Sequence, residues 1–131
     1  MTLDTSVVFT LLNRKDPKHQ HIKTMLLSYP PPYFIPTGVL AEIAYLLEQR
    51  LGFFALDAFL EDIASGIFQL EQTPEDLQRA HALASKYQNL PLGLADALVI
   101  ACAEHRGGLV MSLDKHFWVV AGEGKIQVLG Q

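Results

Sequence analysis

The N-terminal segment of this chain, residues 1–12, is MTLDTSVVFTLL. Its apolar pattern predicts a short buried strand that passes directly into a helix. Asp4 stands where the strand ends, in a run that is otherwise largely apolar. An ionised carboxylate in such surroundings is costly unless another group compensates its charge. The segment therefore predicts a buried strand that ends at an acid, and this acid needs a partner from elsewhere in the chain.

Further strands and helices alternate with this first pair. The predicted strands are residues 33–36 (YFIP), 67–72 (IFQLEQ), 109–112 (LVMS) and 126–129 (IQVL). The predicted helices are residues 6–12, 16–28 from an Asp16 cap, 37–52 from a Thr37 cap, 53–66, 73–86 from a Thr73 cap, and 90–108. This alternation is typical of the α/β class and predicts a parallel sheet with helices on both faces.

The composition is that of a globular protein. Half of the 131 residues are apolar, 18% are charged, and the formal net charge is −4. The length predicts one domain, residues 1–131, with a core that needs no disulfide. No apolar run is long enough for a membrane span and the N-terminal segment lacks a secretory signal pattern, so we expect a cytoplasmic protein that has no membrane partner.

Two acids follow predicted strands. Asp4 ends the first strand, and Asp114 comes just after the strand LVMS. In open parallel sheets, functional sites collect beyond the carboxyl ends of the strands, where the strand order reverses. If these two strands are neighbours, both carboxylates reach the same crevice. Each acid could instead be a simple N-cap for the helix that follows it.

Two more acids lie within predicted helices. Glu42 falls between Val39 and Leu46, on the face expected to be buried. Asp96 lies near the start of a helix that is apolar almost all round, where the helix macrodipole alone could favour an acid. For each of the four acids, no Lys or Arg lies at a pairing distance along its own helix or strand.

Four uncompensated carboxylates in apolar surroundings would drive one another to protonate. A bound divalent cation resolves this problem. Carboxylates without a Cys or His partner suit a hard ion such as Mg²⁺ or Mn²⁺, which prefers oxygen ligands and retains waters. The four acids therefore predict a metal site, and the metal compensates Asp4.

Four short motifs carry a resemblance to a known family. LDTSVV, VLAEIAYLL, LADALVIACAEHRG and LVMSLDKHF resemble, in order, the acidic motifs of the PIN-domain family, particularly the ribonuclease toxins of VapBC-type toxin-antitoxin pairs. The resemblance implies that Asp4, Glu42, Asp96 and Asp114 are the metal-binding acids. It also implies that Ser112 supplies a supporting hydroxyl and that Ser6 matches the small polar residue after the first acid.

The resemblance implies a three-layer α/β/α fold and a metal-dependent endonuclease that acts on single-stranded RNA. It also implies a homodimer and a cognate antitoxin as partner. Asp4 and Asp96 are then the principal ligands, whereas Glu42 and Asp114 bind a second ion, orient water or accept its proton. Two residues depart from the family pattern: Ser112 stands where threonine is common, and His116 stands where many members have a further acid, which leaves the number of metals open.

RNA binding must be reconciled with a net negative charge. Without the four proposed ligands, the remaining ten acids equal the ten Lys and Arg residues, so the chain outside the site is neutral. The cations expected near the site, as RNA contacts, are Arg14, Lys15, Lys18, Lys23 and Lys115. A solvated helix face is the alternative explanation for each of them.

Other functions fit the sequence less well. A phosphoacceptor receiver domain requires paired acids after the first strand, but Leu3 precedes Asp4, and a DxD-type phosphohydrolase would need an acid where Ser6 stands. A catalytically inactive PIN-like module that only binds a partner is the main non-enzymatic alternative. His19 and His21 are two apart on a helix and therefore diverge, so they are not expected to share a zinc ion. The segment LGFFALDAFLEDIASGIF, residues 51–68, has enough large apolar residues to predict a homodimer interface.

Overall fold

Five short strands and seven α-helices alternate along residues 1–130, the part of the chain that this computed structural model describes. The strands are β1 (Thr2–Leu3), β2 (Tyr33–Pro36), β3 (Phe68–Glu71), β4 (Leu109–Met111) and β5 (Gln127–Leu129). The helices are α1 (Thr5–Leu12), α2 (His19–Leu27), α3 (Leu40–Leu51), α4 (Phe53–Ala64), α5 (Pro74–Lys86), α6 (Leu94–His105) and α7 (His116–Ala121). Gln131, the last residue of the predicted domain, lies outside the described residues.

The strands form one parallel sheet in the order β3-β2-β1-β4-β5, which confirms the predicted α/β class. In the register of the central strand, Thr2 pairs with Phe34 on one side and with Val110 on the other. The chain runs outward from β1 to β2 and β3, then crosses back to β4 and β5. The strand order therefore reverses between β1 and β4, and the two acids that follow these strands meet at this point.

Right-handed crossovers place the helices in two layers. The connections that contain α1 to α4 move in one direction across the sheet, and those with α5 to α7 move in the other, so the two groups cover opposite faces. Helix α6 packs on β1, β2 and β4 and is covered by α5. This three-layer α/β/α arrangement confirms the predicted architecture.

Helix α6 is buried because both of its sides are covered. Every residue from 97 to 103 is buried, including Cys102, as the nearly continuous apolar run of this helix predicts. The opposite layer contributes Val7, Val8, Ile43 and Phe59 to the core. Burial of each such large apolar side chain stabilises the fold by about 1.5–3 kcal/mol.

Three local predictions differ from the structure. Helix α2 begins at His19 instead of Asp16, because the Asp16 carboxylate accepts the Lys18 N–H at 2.8 Å and holds a turn before the helix. Thr37 opens a 3₁₀ turn, Thr37–Val39, and its side chain does not cap α3. Helix α7 is missing from the prediction, because six residues contain too few turns to show a helical period.

Among residues 1–130, no helix combines the length and the apolar character that crossing a membrane requires.

Candidate active site

Asp4 is the buried centre of the candidate site. It directly follows β1 and is only 3% exposed. Its backbone N–H donates to the Met111 carbonyl at 3.0 Å, which fixes it beside the end of β4. Its own carbonyl accepts the N–H groups of Val7 and Val8 in the first turn of α1. The Asp4 side chain makes no capping hydrogen bond to this helix, so a role as a simple N-cap does not explain it.

Two serine hydroxyls hold the Asp4 carboxylate. Ser6 Oγ donates to Asp4 Oδ2 at 2.8 Å, and Ser112 Oγ donates to the same oxygen at 2.9 Å. Burial raises the pKa of Asp4, and these two hydrogen bonds oppose that shift because they favour the charged form. The predicted supporting residues, Ser6 and Ser112, therefore both lie in contact with the first acid.

The same hydroxyls also fix the loop between β4 and α7. Ser6 Oγ accepts the Leu113 N–H at 3.2 Å, and Ser112 Oγ accepts the Asp114 N–H at 3.0 Å. Each serine thus donates to Asp4 and accepts from this loop. The position of Asp114 is therefore coupled to that of Asp4 through two short hydrogen-bond chains.

Asp114 has a structural role as well as a place in the site. Its Oδ1 accepts the His116 N–H at 2.9 Å, an Asx turn that leads into α7, whose N-cap residue is Lys115. His116 Nδ1 lies 3.1 Å from the same oxygen. This contact of His116 was not predicted, because side-chain pairing across a turn leaves no trace in the periodicity of the sequence.

Asp96 lies in the first turn of α6 and is half-buried. Burial is the largest cause that raises its pKa, to about 7, and the charges of Asp4, Asp114 and Glu42 add to the shift. Within residues 1–130 its carboxylate has no hydrogen-bond or ion-pair partner among the side chains. A favourable macrodipole position alone would lower this pKa, so Asp96 is not simply a helix-start acid.

Glu42 does not lie on the buried face of its helix, and the expectation that it would is wrong. Helix α3 turns Ile43 and Leu47 toward the core, whereas Glu42 is exposed to solvent. The buried stripe follows Val39, Ile43 and Leu47 at four-residue spacing, which leaves Glu42 at its solvent-exposed edge. Its charge nevertheless acts on Asp96, so Glu42 stands at the rim of the same site.

The four acids share one edge of the sheet and influence one another electrostatically, but they do not form a closed cage. Among residues 1–130, no three Asp, Glu, His or Cys side chains converge closely enough to hold one metal ion directly. Mg²⁺ usually binds proteins through only one or two carboxylates and keeps several of its waters. An oxygen-only set with an unpartnered carboxylate at Asp96 fits such an ion.

The five predicted RNA-contact cations fall into two groups. Lys18 and Lys115 line one cavity beside Leu113. Arg14, Lys15 and Lys23 line cavities next to α3 and α4, together with apolar residues such as Phe54. No ion pair joins any of the five to another side chain in the described part of the chain.

Comparisons with known proteins agree with this geometry. The model of the PIN domain family matches residues 1–123. Ribonuclease VapC26 of Mycobacterium tuberculosis (strain ATCC 25618 / H37Rv) is 28% identical over 134 residues, which cover 98% of this chain and 99% of that protein. The crystal structure of VapC20 of Mycobacterium tuberculosis, described as a sarcin-ricin-loop-cleaving toxin, has a TM-score of 0.80 at 24% identity and covers 91% of this chain and 93% of its own.

A toxin-antitoxin complex from Klebsiella pneumoniae has a TM-score of 0.72 at 20% identity, over 98% of this chain and 94% of the compared chain. Structural similarity at this level of identity shows a shared fold.

Proposed function

This chain belongs to the PIN-domain family, and from that membership we propose that it is a Mg²⁺- or Mn²⁺-dependent endoribonuclease. Its substrate is single-stranded RNA, whose phosphodiester bonds it hydrolyses. The relative named ribonuclease VapC26, which matches nearly the whole chain, supports this reaction class. The site residues are Asp4, Glu42, Asp96 and Asp114, with Ser6 and Ser112 in support.

The observation that carries this proposal is the state of Asp96. A half-buried carboxylate that faces three other acids, with no partner among the described side chains, is costly in a structural role. A cation bound beside this carboxylate would offset that cost. The acids stand at the reversal of strand order, where ligands of open parallel sheets bind.

A divalent ion held by Asp4 and Asp96 would supply positive charge at the scissile phosphate and would make water more acidic there. Asp4 and Asp96 are the principal ligands in this assignment. Ser6 and Ser112 keep the Asp4 carboxylate in one orientation, because both donate to its Oδ2. Glu42 and Asp114 complete the site, as ligands of a second ion, as groups that orient water or as acceptors of the water's proton.

We further propose that the protein is the toxin of a toxin-antitoxin pair in the cytoplasm. Support comes from a solved structure described as a toxin-antitoxin complex, which shares the fold over 98% of this chain. A ribonuclease in the cytoplasm needs restraint, and a cognate antitoxin protein would provide it.

The proposal is tested by RNA cleavage with wild type and Asp96→Asn, each with Mg²⁺ and with chelator. Asn keeps the shape of the side chain but removes the anionic ligand, so we expect cleavage to fall by about 100-fold or more. Asp57→Asn is the matched control, because Asp57 is an exposed acid on α4 away from the site. Chelator should abolish wild-type cleavage.

A thermal melt gives a second measurement on the same proteins. Mg²⁺ should raise the wild-type midpoint, because it binds the folded state, and should raise that of Asp96→Asn less. Undiminished cleavage by Asp96→Asn would contradict the nuclease assignment. Wild type that binds Mg²⁺ but leaves RNA intact would favour the inactive partner-binding module instead.

A further inference from the structure

A cavity of about 400 Å³ lies next to the loop that carries Asp114, and none of the four acids lines it. Two separate segments build it. Pro17 and Lys18 directly precede α2 and His21 lies in its first turn, whereas Leu113 and Lys115 come from the loop between β4 and α7, and Gly130 completes the wall. Nearly one hundred residues of sequence separate Lys18 and His21 from Lys115, which lies on the other side of the cavity.

The charged side chains that line this cavity are all basic. Lys18, His21 and Lys115 are exposed, and none of them forms an ion pair within residues 1–130. Lys18 and His21 are three residues apart and so share a helical face. Asp16 does not line the cavity, and its carboxylate accepts hydrogen bonds from the Lys18 N–H at 2.8 Å and the Thr10 hydroxyl at 3.5 Å. The two lysines therefore give the cavity positive charge, and no acidic side chain among residues 1–130 lines it.

Direct contacts tie this cavity to the candidate active site. Leu113 lines the cavity, and its N–H donates to Ser6 Oγ, which in turn donates to Asp4 Oδ2. Lys115 follows Asp114 directly in the chain. The Leu113 backbone and the Ser6 hydroxyl therefore connect this cavity to the Asp4 carboxylate.

We propose that this cavity binds a backbone phosphate of a nucleotide next to the scissile bond. Lysine ammonium groups bind phosphate as point charges, and such contacts fix the register of a nucleic acid without reading its sequence. Among residues 1–130, no Phe, Tyr or Trp side chain lines the cavity, and His21 supplies its one aromatic ring. Lys18, His21 and Lys115 would therefore set the direction in which the strand crosses the acids. This inference rests on the proposed nuclease function.

The test measures binding of a fluorescein-labelled single-stranded oligouridylate across a salt series. The parent protein is Asp96→Asn, so that the RNA stays intact. Adding Lys18→Gln and Lys115→Gln should weaken binding at low salt and lower the slope of log K against log salt by about 0.7 for each lysine that contacts a phosphate. Adding His21→Gln to the parent should weaken binding at low salt with a smaller change of slope.

Lys125→Gln is the matched control. Lys125 is exposed and unpaired in the described part of the chain, and it lies at the other end of β4 beside Gly108 and Gly124. It should leave both affinity and slope unchanged. In an otherwise wild-type protein, the Lys18→Gln, Lys115→Gln pair should lower kcat/KM for RNA while the Mg²⁺ concentration needed for half-maximal activity stays the same.

The outcomes separate this inference from the proposed function. If the variant that lacks both lysines binds RNA with the same slope of log K against log salt as its parent, while wild type still cleaves RNA, the phosphate site is wrong and the nuclease function stands. An equal loss with Lys125→Gln would also overturn it, because general charge would then explain the binding. If wild type neither binds nor cleaves the RNA, the nuclease proposal fails and the phosphate site fails with it.

Discussion

Asp4 and Asp96 show how differently two acids of one site can be treated by their surroundings. Asp4 is almost fully buried, but two serine hydroxyls stabilise its charged form. Asp96 is less buried, yet it lacks donors among the described side chains and faces three other acids. The less buried acid therefore has the clearer need for a cation. Its titration should be visible in the stability of the metal-free protein.

We expect the free energy of unfolding in chelating buffer to fall as the pH rises from about 4 to about 7. The pKa of Asp96 is raised to about 7 in the fold, against 3.8 for an ordinary aspartate, so the folded state binds the extra proton across this range. The stabilisation from this proton is complete below the unfolded-state pKa of 3.8 and is lost as the pH rises past the folded-state pKa of about 7. Chemical denaturation across this pH range measures it.

Asp96→Asn should show a smaller fall over the same range, because it has no proton to lose at this position. Asp57→Asn, which alters an exposed acid, should retain the wild-type fall. Identical pH dependences for Asp96→Asn and wild type would show that Asp96 titrates normally.

Among the secondary-structure elements, a charged network joins the end of α7 to α5 and α6. Glu123, just after α7, accepts hydrogen bonds from Arg79 at 2.9 Å, Lys86 at 3.0 Å and Tyr87 at 2.5 Å. Arg79 also pairs with Glu104 of α6 at 2.7 Å. The network thus connects α5, α6 and the end of α7, and it keeps these three elements in register on the face opposite α1 to α4.

Glu123→Gln should lower the free energy of unfolding by about 1–2 kcal/mol at neutral pH, as expected for the loss of hydrogen bonds to a charged group. The hydrogen bond from Tyr87, followed by those from Lys86 and Arg79, lowers the pKa of Glu123 to about 2. The difference between wild type and variant should therefore be complete above pH 4.5 and shrink as the pH falls toward 2.

Urea denaturation measures this difference, with Glu61→Gln on the exposed side of α4 as control. A Glu123→Gln variant as stable as wild type would show that the network contributes little.

At the level of the whole molecule, α4 leaves large apolar side chains without cover. Its inner face buries Ala55 and Phe59, whereas Phe53 is 63% and Phe54 is 87% exposed. Leu60 and Ile67 are also exposed in the same segment, residues 51–68. Such a patch favours an interface, and the predicted homodimer would use it.

Light scattering should therefore detect a dimer at roughly tens of micromolar protein, because interfaces of ordinary strength are assembled at that concentration. Phe54→Glu should convert it to a monomer, since the dimer would bury an unpaired charge. Leu77→Glu is the control, because Leu77 is 53% exposed on α5, in the other helical layer. A monomeric wild type, or a dimer indifferent to Phe54→Glu, would contradict the prediction.

Local patterns in the sequence were enough to predict the fold class, the five strands and the acids that follow β1 and β4. Apolar periodicity and strand length are local properties, and they sufficed for β1, for the buried α6 and for the Thr73 cap of α5. The acid that ends β1 was recognisable because charge in an apolar run is costly wherever the chain goes.

Which side chains are exposed, and which distant side chains come together, became clear only from the three-dimensional structure. It left Glu42 exposed at the edge of the buried stripe of α3, and it placed the Asp114 carboxylate on the His116 N–H. It also brought Lys18 and Lys115 to one cavity. Each of these facts depends on helix phase or on contacts between distant segments. A local pattern cannot specify them, because the packing of the whole sheet and both helical layers sets the final geometry.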